Sequence, residues 1–277
     1  MHSTWANLTA RRDLLRELVV SELKISSAET YLGWFWWLLD PLLMMLIYWL
    51  VVGGLLGRGL DQYAPYPIFV LCALVPWKHL STSVSQSTSV LRAREPLIKS
   101  VSFPTIVLPV SLILSGFVYF LFGFAVLVAS AVIWPSPHHT GSLLPLAQVP
   151  LLMVLQVTVV TGLCLPLASL GVAVRDLTNL MNHMLRAGFF LSPTLYGIDL
   201  VQGLLEGRLG GTAAQIGFYA YMLNPFAVLI TGYRDAVFYG RFLPAELWLI
   251  VAVEAVLLLV AGGLIYQRYD RRAIKYL

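Results

Sequence analysis

The sequence predicts an all-α integral membrane protein with six transmembrane helices, a single membrane domain over residues 1–277. Of the 277 residues, 58% are hydrophobic and only 12% are charged, whereas soluble domains carry about 25% charged residues. The mean hydropathy is +0.79, and several stretches exceed the ~20 apolar residues that cross a hydrocarbon core. The basic residues concentrate at the edges of these stretches, so the net charge of +4 indicates membrane topology and not nucleic-acid binding.

Residues 8–25 predict an amphipathic helix that lies in the membrane interface. Leu15, Val19 and Leu23 share one helix face. Charged side chains occupy the rest of the helix, as in helices that lie on a bilayer surface. The alternative is a helix that packs on a soluble partner.

Six apolar stretches predict the membrane spans. The first stretch opens with aromatic side chains such as Trp36 and Trp37, whose rings prefer the headgroup level. The fourth contains no charged residue. The six predicted spans are residues 34–56, 67–91, 105–134, 148–174, 179–198 and 243–266.

A short basic segment, RAREPLIKSVSFP, residues 92–104, separates the second and third spans. Arg92, Arg94 and Lys99 make this segment too polar to lie in lipid, and short basic loops lie on the cytoplasmic side of a membrane. We therefore expect a compact cytoplasmic connection.

Residues 200–240 predict an external excursion and not a seventh span. Asn224-Pro225 divides the apolar run 212–233 into two halves that are too short to cross. With six spans, both termini and the segment 92–104 share one side, which then holds most of the 18 basic residues. Backbone that enters the membrane without crossing must be buried in protein or line a cavity. The pattern therefore predicts two short helices that form a gate or a vestibule wall.

Motifs for enzymatic chemistry are missing from the sequence. A phosphate-binding loop needs Gly directly before Lys, and none of the four lysines follows a glycine. The histidines show no metal-ligand spacing, and no G-x-S-x-G motif is present. We expect neither enzymatic activity, nor a metal, nor a cofactor on this chain.

Asp40, Lys78 and Glu254 are ionisable residues within the predicted spans. Such residues are candidates for function, because a charge in hydrocarbon is costly. They could line a conduit or relay protons. Alternatively, Lys78 forms one structural ion pair with either acid.

Aromatic side chains could line a path for a sugar polymer, because their faces stack on sugar rings. The candidates are Trp36, Phe190 and Tyr196. The alternative for each is a place in the interfacial belt or in helix packing.

Four stretches carry a resemblance to a known family, and they occur in the same order as in that family. They are YLGWFWWLLDPLLMMLIY (31–48), EPLIKSVSFPTIVLPVS (95–111), VRDLTNLMNHMLRAGFFLSPTLYGI (174–198) and LNPFAVLITGYRDAVFYG (223–240). Over nearly its full length, the chain resembles the membrane permeases of type-2 ATP-binding-cassette exporters of polysaccharide, O-antigen and teichoic acid. The resemblance implies a homodimer in the bacterial plasma (inner) membrane, with both termini cytoplasmic. It also implies a separate ATPase subunit under each half, which binds ATP and magnesium, and a lipid-linked glycan as the substrate.

The resemblance also implies roles for particular residues. The cytoplasmic segment would be a coupling helix on the ATPase, with Arg94, Glu95, Pro96, Leu97, Ile98 and Lys99. The N-terminal helix would frame the entrance for the substrate headgroup, with Arg11, Arg12, Arg16 and Lys24. The outer gate at 200–240 would use Asn224, Pro225 and Arg234. Many relatives carry basic residues before the Leu-Gly of the first span, whereas this chain has ISSAETYLG at 25–33.

Two other classes of function predict different sequence features. A secondary transporter predicts broken helices at matching positions of two halves, but the sequence shows one break and no inverted repeat. A lipid- or glycan-modifying membrane enzyme predicts clustered acidic residues, whereas the acids here are scattered.

Overall fold

The computed structural model describes residues 12–28, 31–55, 63–100 and 103–276, and its regular elements are helices. Four of the described helices are long and apolar enough to cross a membrane: Tyr66–Ser87, Val107–Ile133, Leu144–Ala173 and Ala245–Tyr269. The helices Gly211–Met222 and Pro225–Tyr239 form a bent pair, which would be a fifth span if the two helices were counted together. The chain is therefore a multi-pass helical membrane protein, as predicted, with four or five spans by length and composition where six were expected.

Helix α1, Arg12–Ala28, is the predicted interface helix. Its apolar residues Leu14, Leu15 and Leu18 pack against a buried cluster at the start of the third predicted span. Its charged side chains Arg16 and Glu17 are exposed. The predicted start at residue 8 lies outside the described residues, and the observed helix continues three residues beyond the predicted end.

The first predicted span begins as α2, Trp36–Tyr48, and continues with π-type hydrogen bonding over Trp49–Leu55. The predicted residues 34–56 are therefore helical over most of their length, although the regular α-helix is only 13 residues long.

Helix α3, Tyr66–Ser87, lies at the centre of the molecule, and most of its 22 residues are buried. It ends four residues before the predicted Leu91. The hydroxyls of Ser87, Thr88 and Ser89 each donate to the carbonyl three residues earlier. Such local bonds compete with the helical pattern. Two short helices follow, α4, Val90–Ala93, and α5, Glu95–Ser100.

Three long helices complete the framework. Helices α6, Val107–Ile133, and α7, Val149–Ala173, match the predicted spans within two residues. The last helix α12, Ala245–Tyr276, packs along α7. It runs ten residues past the predicted end at Tyr266, because the polar tail contains no Gly or Pro to stop it.

The fifth predicted span, 179–198, was wrong at its C-terminal end. Helix α8 covers Leu177–Leu191 and is only 15 residues long. Pro193 disfavours helical backbone at the residue before it, and Ser192 is extended.

Three short helices occupy the predicted external region: α9, Ile198–Leu209, α10, Gly211–Met222, and α11, Pro225–Arg234. Helix α11 continues with π-type bonding over Asp235–Tyr239. Between α9 and α10 the backbone turns at Gly210, whose φ of +66° favours glycine. Helix α10 meets the segment Pro225–Tyr239 at a bend of 91°.

Candidate functional site

The predicted coupling segment contains the short helix α5. Lys99 Nζ lies 2.5 Å from Glu95 Oε1, one helical turn away, and both side chains are largely exposed. Leu97 and Ile98 pack against the buried cluster that also receives α1, while Pro96 is exposed. The segment is thus held to the body by apolar contacts and presents its charges outward.

Arg94 connects this segment to the N-terminal helix through an ion pair with Glu22. Both side chains are about three-quarters covered, so the pair is less exposed to solvent than an ordinary surface pair. As a result, α1 and the coupling segment form one unit.

The basic residues predicted to hold a headgroup lie on this same unit. Arg12, Arg16 and Lys24 are exposed on α1, and Arg12 is 4.0 Å from the exposed Asp13. Arg11 lies outside the described residues.

Lys78 of α3 pairs with Asp40 of α2, with Nζ and Oδ2 3.0 Å apart. The two side chains are 61% and 41% exposed on the surface of this chain. The pair sits near the middle of a helix long enough to span a membrane. Of the two acids that could pair with Lys78, the structure brings Asp40 to it.

Glu254 lies apart, on α12. Within the described part of the chain, its Oε2 atom is buried and has no hydrogen-bond partner. The structure therefore does not bring Asp40, Lys78 and Glu254 together.

The aromatic candidates occupy two places. Trp36 is 42% exposed at the start of α2. Phe190, at the end of α8, is 64% exposed, and its carbonyl accepts a hydrogen bond from the Tyr196 hydroxyl at 3.0 Å. That hydroxyl also lies 3.2 Å from the hydroxyl of Tyr221 on α10. The structure thus joins Phe190 to Tyr196, with Trp36 on another helix.

The break predicted at Asn224-Pro225 starts α11. The side-chain oxygen of Asn224 accepts from the backbone N–H of Phe226 at 3.1 Å, which is a helix N-cap. Pro225 occupies the first helical position, where its missing N–H is not needed. The amide of Asn224 also donates to Ser192 Oγ at 2.8 Å, so the break is tied to the turn after α8.

Arg234 binds the same turn through three hydrogen bonds. Its guanidinium, 3% exposed, donates to the carbonyls of Pro193 at 2.5 Å, Thr194 at 2.6 Å and Tyr196 at 2.8 Å. It also donates to the carbonyl of Phe69 on α3 at 3.2 Å and lies 3.7 Å above the Phe69 ring. These contacts between Arg234, the turn 192–197 and Phe69 are called the arginine clamp.

Two tyrosines that precede or begin α3 support the clamp. The Tyr66 hydroxyl donates to the carbonyl of Leu195 at 2.9 Å, and the Tyr63 hydroxyl donates to Asp199 Oδ2 at 2.8 Å. Burial, followed by the hydrogen bond to Asp199, raises the pKa of the Tyr63 phenol, which therefore stays a neutral donor. The sequence analysis singled out Arg234 and the stretch 174–198 separately, and nothing in either stretch indicated that one binds the other.

A cavity of about 270 Å³ lies beside the clamp, lined in part by Arg234, Asp199, Asp235 and Arg241. Its charged groups have partners within the protein: Arg241 Nε lies 2.7 Å from Asp235 Oδ1, and Asp199 Oδ2 accepts a hydrogen bond from Tyr63. No cluster of three metal-ligating side chains occurs among the described residues. The arrangement holds the turn 192–197, α9 and α11 together.

Comparison with known proteins gives a full-length likeness. The O-antigen export system permease protein RfbA of Myxococcus xanthus is 30% identical over 260 residues, which cover 92% of this chain and 92% of the relative. The protein of the same name from Klebsiella pneumoniae is 25% identical over 96% of this chain and 95% of its own length. No family model matches the chain.

Proposed function

This chain belongs to the family of type-2 O-antigen export permeases, and we propose that it is the channel-forming subunit of an ATP-driven exporter. Its relatives are named as permease proteins, which are transport components, so the chain is a transport subunit and not an enzyme. The proposed substrate is a lipid-linked polysaccharide that moves from the cytoplasmic leaflet outward across the bacterial plasma membrane.

The observation that carries this proposal is the exposed ion pair of Lys78 and Asp40. A charge that faces lipid near the middle of a bilayer is costly, yet these side chains are 61% and 41% exposed on the isolated chain. A water-filled conduit beside α2 and α3 resolves this conflict. Trp36 lies one turn before Asp40 on α2, so the same surface offers an aromatic ring to a passing sugar.

Six spans remain the proposed topology, with both termini cytoplasmic. The continuous helical segment Trp36–Leu55 has 13 plus seven residues, roughly 30 Å, the thickness of a hydrocarbon core. Helix α8, with 15 residues, reaches only about 22 Å and is completed by the extended turn that follows. The bent helix pair Gly211–Met222 and Pro225–Tyr239 enters the membrane from the external side and returns to that side.

Energy reaches this chain from a partner. The absence of a Gly-Lys loop from the sequence supports an arrangement in which a separate ATPase binds ATP and magnesium. The proposed contact is α5, because it is anchored on its apolar side and presents Glu95 and Lys99 outward. The ion pair between Arg94 and Glu22 then carries movement of α5 to α1, where the exposed residues Arg12, Arg16 and Lys24 are the proposed contacts of a diphosphate headgroup.

A second copy of the chain completes the conduit, since one chain leaves the Lys78–Asp40 surface open. The proposed assembly therefore contains two permeases and two ATPases.

The arginine clamp closes the external end in the resting state, because it fixes the turn before α9 to α3 and α11.

Export in the native bacterium tests this function. Deleting the gene should abolish surface polysaccharide and cause lipid-linked polymer to accumulate inside, and the wild-type gene should restore export. Lys78→Met should not restore it. The double variant Lys78→Asp with Asp40→Lys separates two roles. If the pair is purely structural, the reversed pair should restore export. If Lys78 acts in the conduit, export should remain lost. Normal export without this gene would refute the proposal.

A further inference from the structure

Three hydrogen bonds run in series through the buried centre of the molecule. The Tyr233 hydroxyl donates to Gln156 Oε1 at 2.7 Å. Gln156 Nε2 lies 2.9 Å from His79 Nδ1, and His79 Nε2 lies 3.3 Å from the carbonyl of Ile113. The three side chains are buried, with exposures of 0%, 0% and 3% for Tyr233, Gln156 and His79.

The orientation of the Gln156 amide assigns the bond directions in this series. With Gln156 Nε2 facing His79, the amide donates to His79 Nδ1, and the ring then carries its hydrogen on Nε2. That hydrogen then points to the carbonyl of Ile113. The series ends on a backbone carbonyl, which cannot pass a proton on, so it is not a path for protons.

The series joins four helices: α11 through Tyr233, α7 through Gln156, α3 through His79 and α6 through Ile113. Helix α3 leads at its C-terminal end to the coupling segment. Helix α11 carries Arg234 directly after Tyr233. Neighbouring residues of α11 therefore bind the central series and the arginine clamp.

We propose that Gln156 is a positioning residue that holds α11 in register with α3, so that the arginine clamp closes only when the coupling end of α3 is at rest. The proposal rests on the proposed export function, which supplies the driving movement. Of the three side chains, Gln156 is the one that bonds to both others, so its loss removes the polar link between Tyr233 on α11 and His79 on α3.

A polar link is suited to this role because apolar side chains tolerate sliding, whereas buried hydrogen-bonding groups are penalised when they lose their partners. The backbone also makes room for it. A Cβ on Gly116 of α6 would lie 3.3 Å from His79 Cδ2 and 3.1 Å from Ser83 Oγ, so glycine there leaves space for the imidazole ring.

The position of helices α9 and α10, which follow the turn that the arginine clamp holds, gives a direct test of this proposal. Spin labels at Glu206→Cys on α9 and Leu143→Cys on the loop after α6 report their separation. Both positions are exposed, whereas the native Cys72 and Cys164 are buried and can stay in place. Measurements use the chain in nanodiscs, diluted with unlabelled chain, with neither ATPase nor ATP.

Tyr233→Phe and Gln156→Leu should each shift the distance distribution away from the wild-type value, by roughly 5- to 150-fold in the ratio of open to closed states. Ser169→Ala is the matched control, since Ser169 lies on α7 like Gln156 and its hydroxyl donates to the carbonyl of Pro166 on the same helix. The double variant should shift no further than Gln156→Leu alone, because both changes remove the same hydrogen bond.

Wild-type distances in both single variants would overturn the proposal, as would strictly additive effects in the double variant. With the ATPase present, the variants should hydrolyse more ATP for each polymer exported. A shifted distance distribution together with a wild-type chain that exports no polymer would refute the proposed function and leave the positioning role intact.

Discussion

Replacing Arg234 by methionine should destabilise the protein severely. The guanidinium donates to three carbonyls of the turn 192–197, and methionine fills a similar volume without a donor. The Phe69 carbonyl is affected less, because it lies within a helix that already uses it.

The magnitude follows from the three carbonyls left without a partner. A buried polar group that loses its hydrogen bond costs about 1–3 kcal/mol, so the lower bound for three carbonyls is about 3 kcal/mol. In a protein of this size, each kcal/mol lowers the unfolding midpoint by roughly 2–4 °C. At this lower bound the unfolding midpoint of Arg234→Met lies roughly 6–12 °C below that of the wild type, so we expect a decrease of at least this size.

Thermal unfolding in nanodiscs, followed by tryptophan fluorescence, measures this change. The unfolding midpoint of Arg234→Lys should lie between those of the wild type and Arg234→Met, because an ammonium group keeps the charge but lacks the planar guanidinium geometry. The control is Arg208→Met, which removes an exposed arginine from α9 and should leave the midpoint unchanged. A midpoint for Arg234→Met within 2 °C of the control would refute the view that the clamp holds the turn in place.

Three further changes test other parts of the structure. Lys99→Glu, which reverses a charge at the proposed ATPase contact, should raise ATP hydrolysis per exported polymer without loss of protein from the membrane, and unchanged coupling would exclude this contact. Gly262→Ala would place a Cβ 2.1 Å from the Gly162 carbonyl oxygen and should cost about 1–3 kcal/mol in stability, whereas Gly263→Ala, in open space, should be neutral. Glu254→Leu removes a buried oxygen without a partner in the described structure and should raise the unfolding midpoint; a fall would show that the carboxylate has a stabilising partner in the assembly.

Features set by local chemistry were predictable from the sequence. The break at Asn224-Pro225 follows from a side chain that caps a helix and a residue that cannot continue one, and both act within four residues. The pairing of Lys78 with an acid followed from the high cost of a lone charge in lipid.

Features that depend on distant segments could not be predicted. The partners of Arg234 are backbone carbonyls about forty residues away, and a carbonyl looks the same at every position of a sequence. Similarly, His79 and Gln156 lie in separate apolar stretches of the sequence. Their hydrogen bond forms only when α3 and α7 pack together, so the sequence does not indicate it. The early end of α8 was visible in Ser192-Pro193, but the apolar residues beyond it concealed the stop.

The pairing of Asp40 with Lys78 also bears on how the chain enters the membrane during synthesis. Of the four long helices, α3 is the least hydrophobic, and a lysine near the centre of a helix opposes partitioning from the translocon into lipid by about 2.5–3.5 kcal/mol. Helix α2 is made first and brings the carboxylate of Asp40, which lies 3.0 Å from that lysine in the folded chain. The two helices should therefore leave the translocon together as a hairpin, which gives Asp40 a part in the biogenesis of the protein.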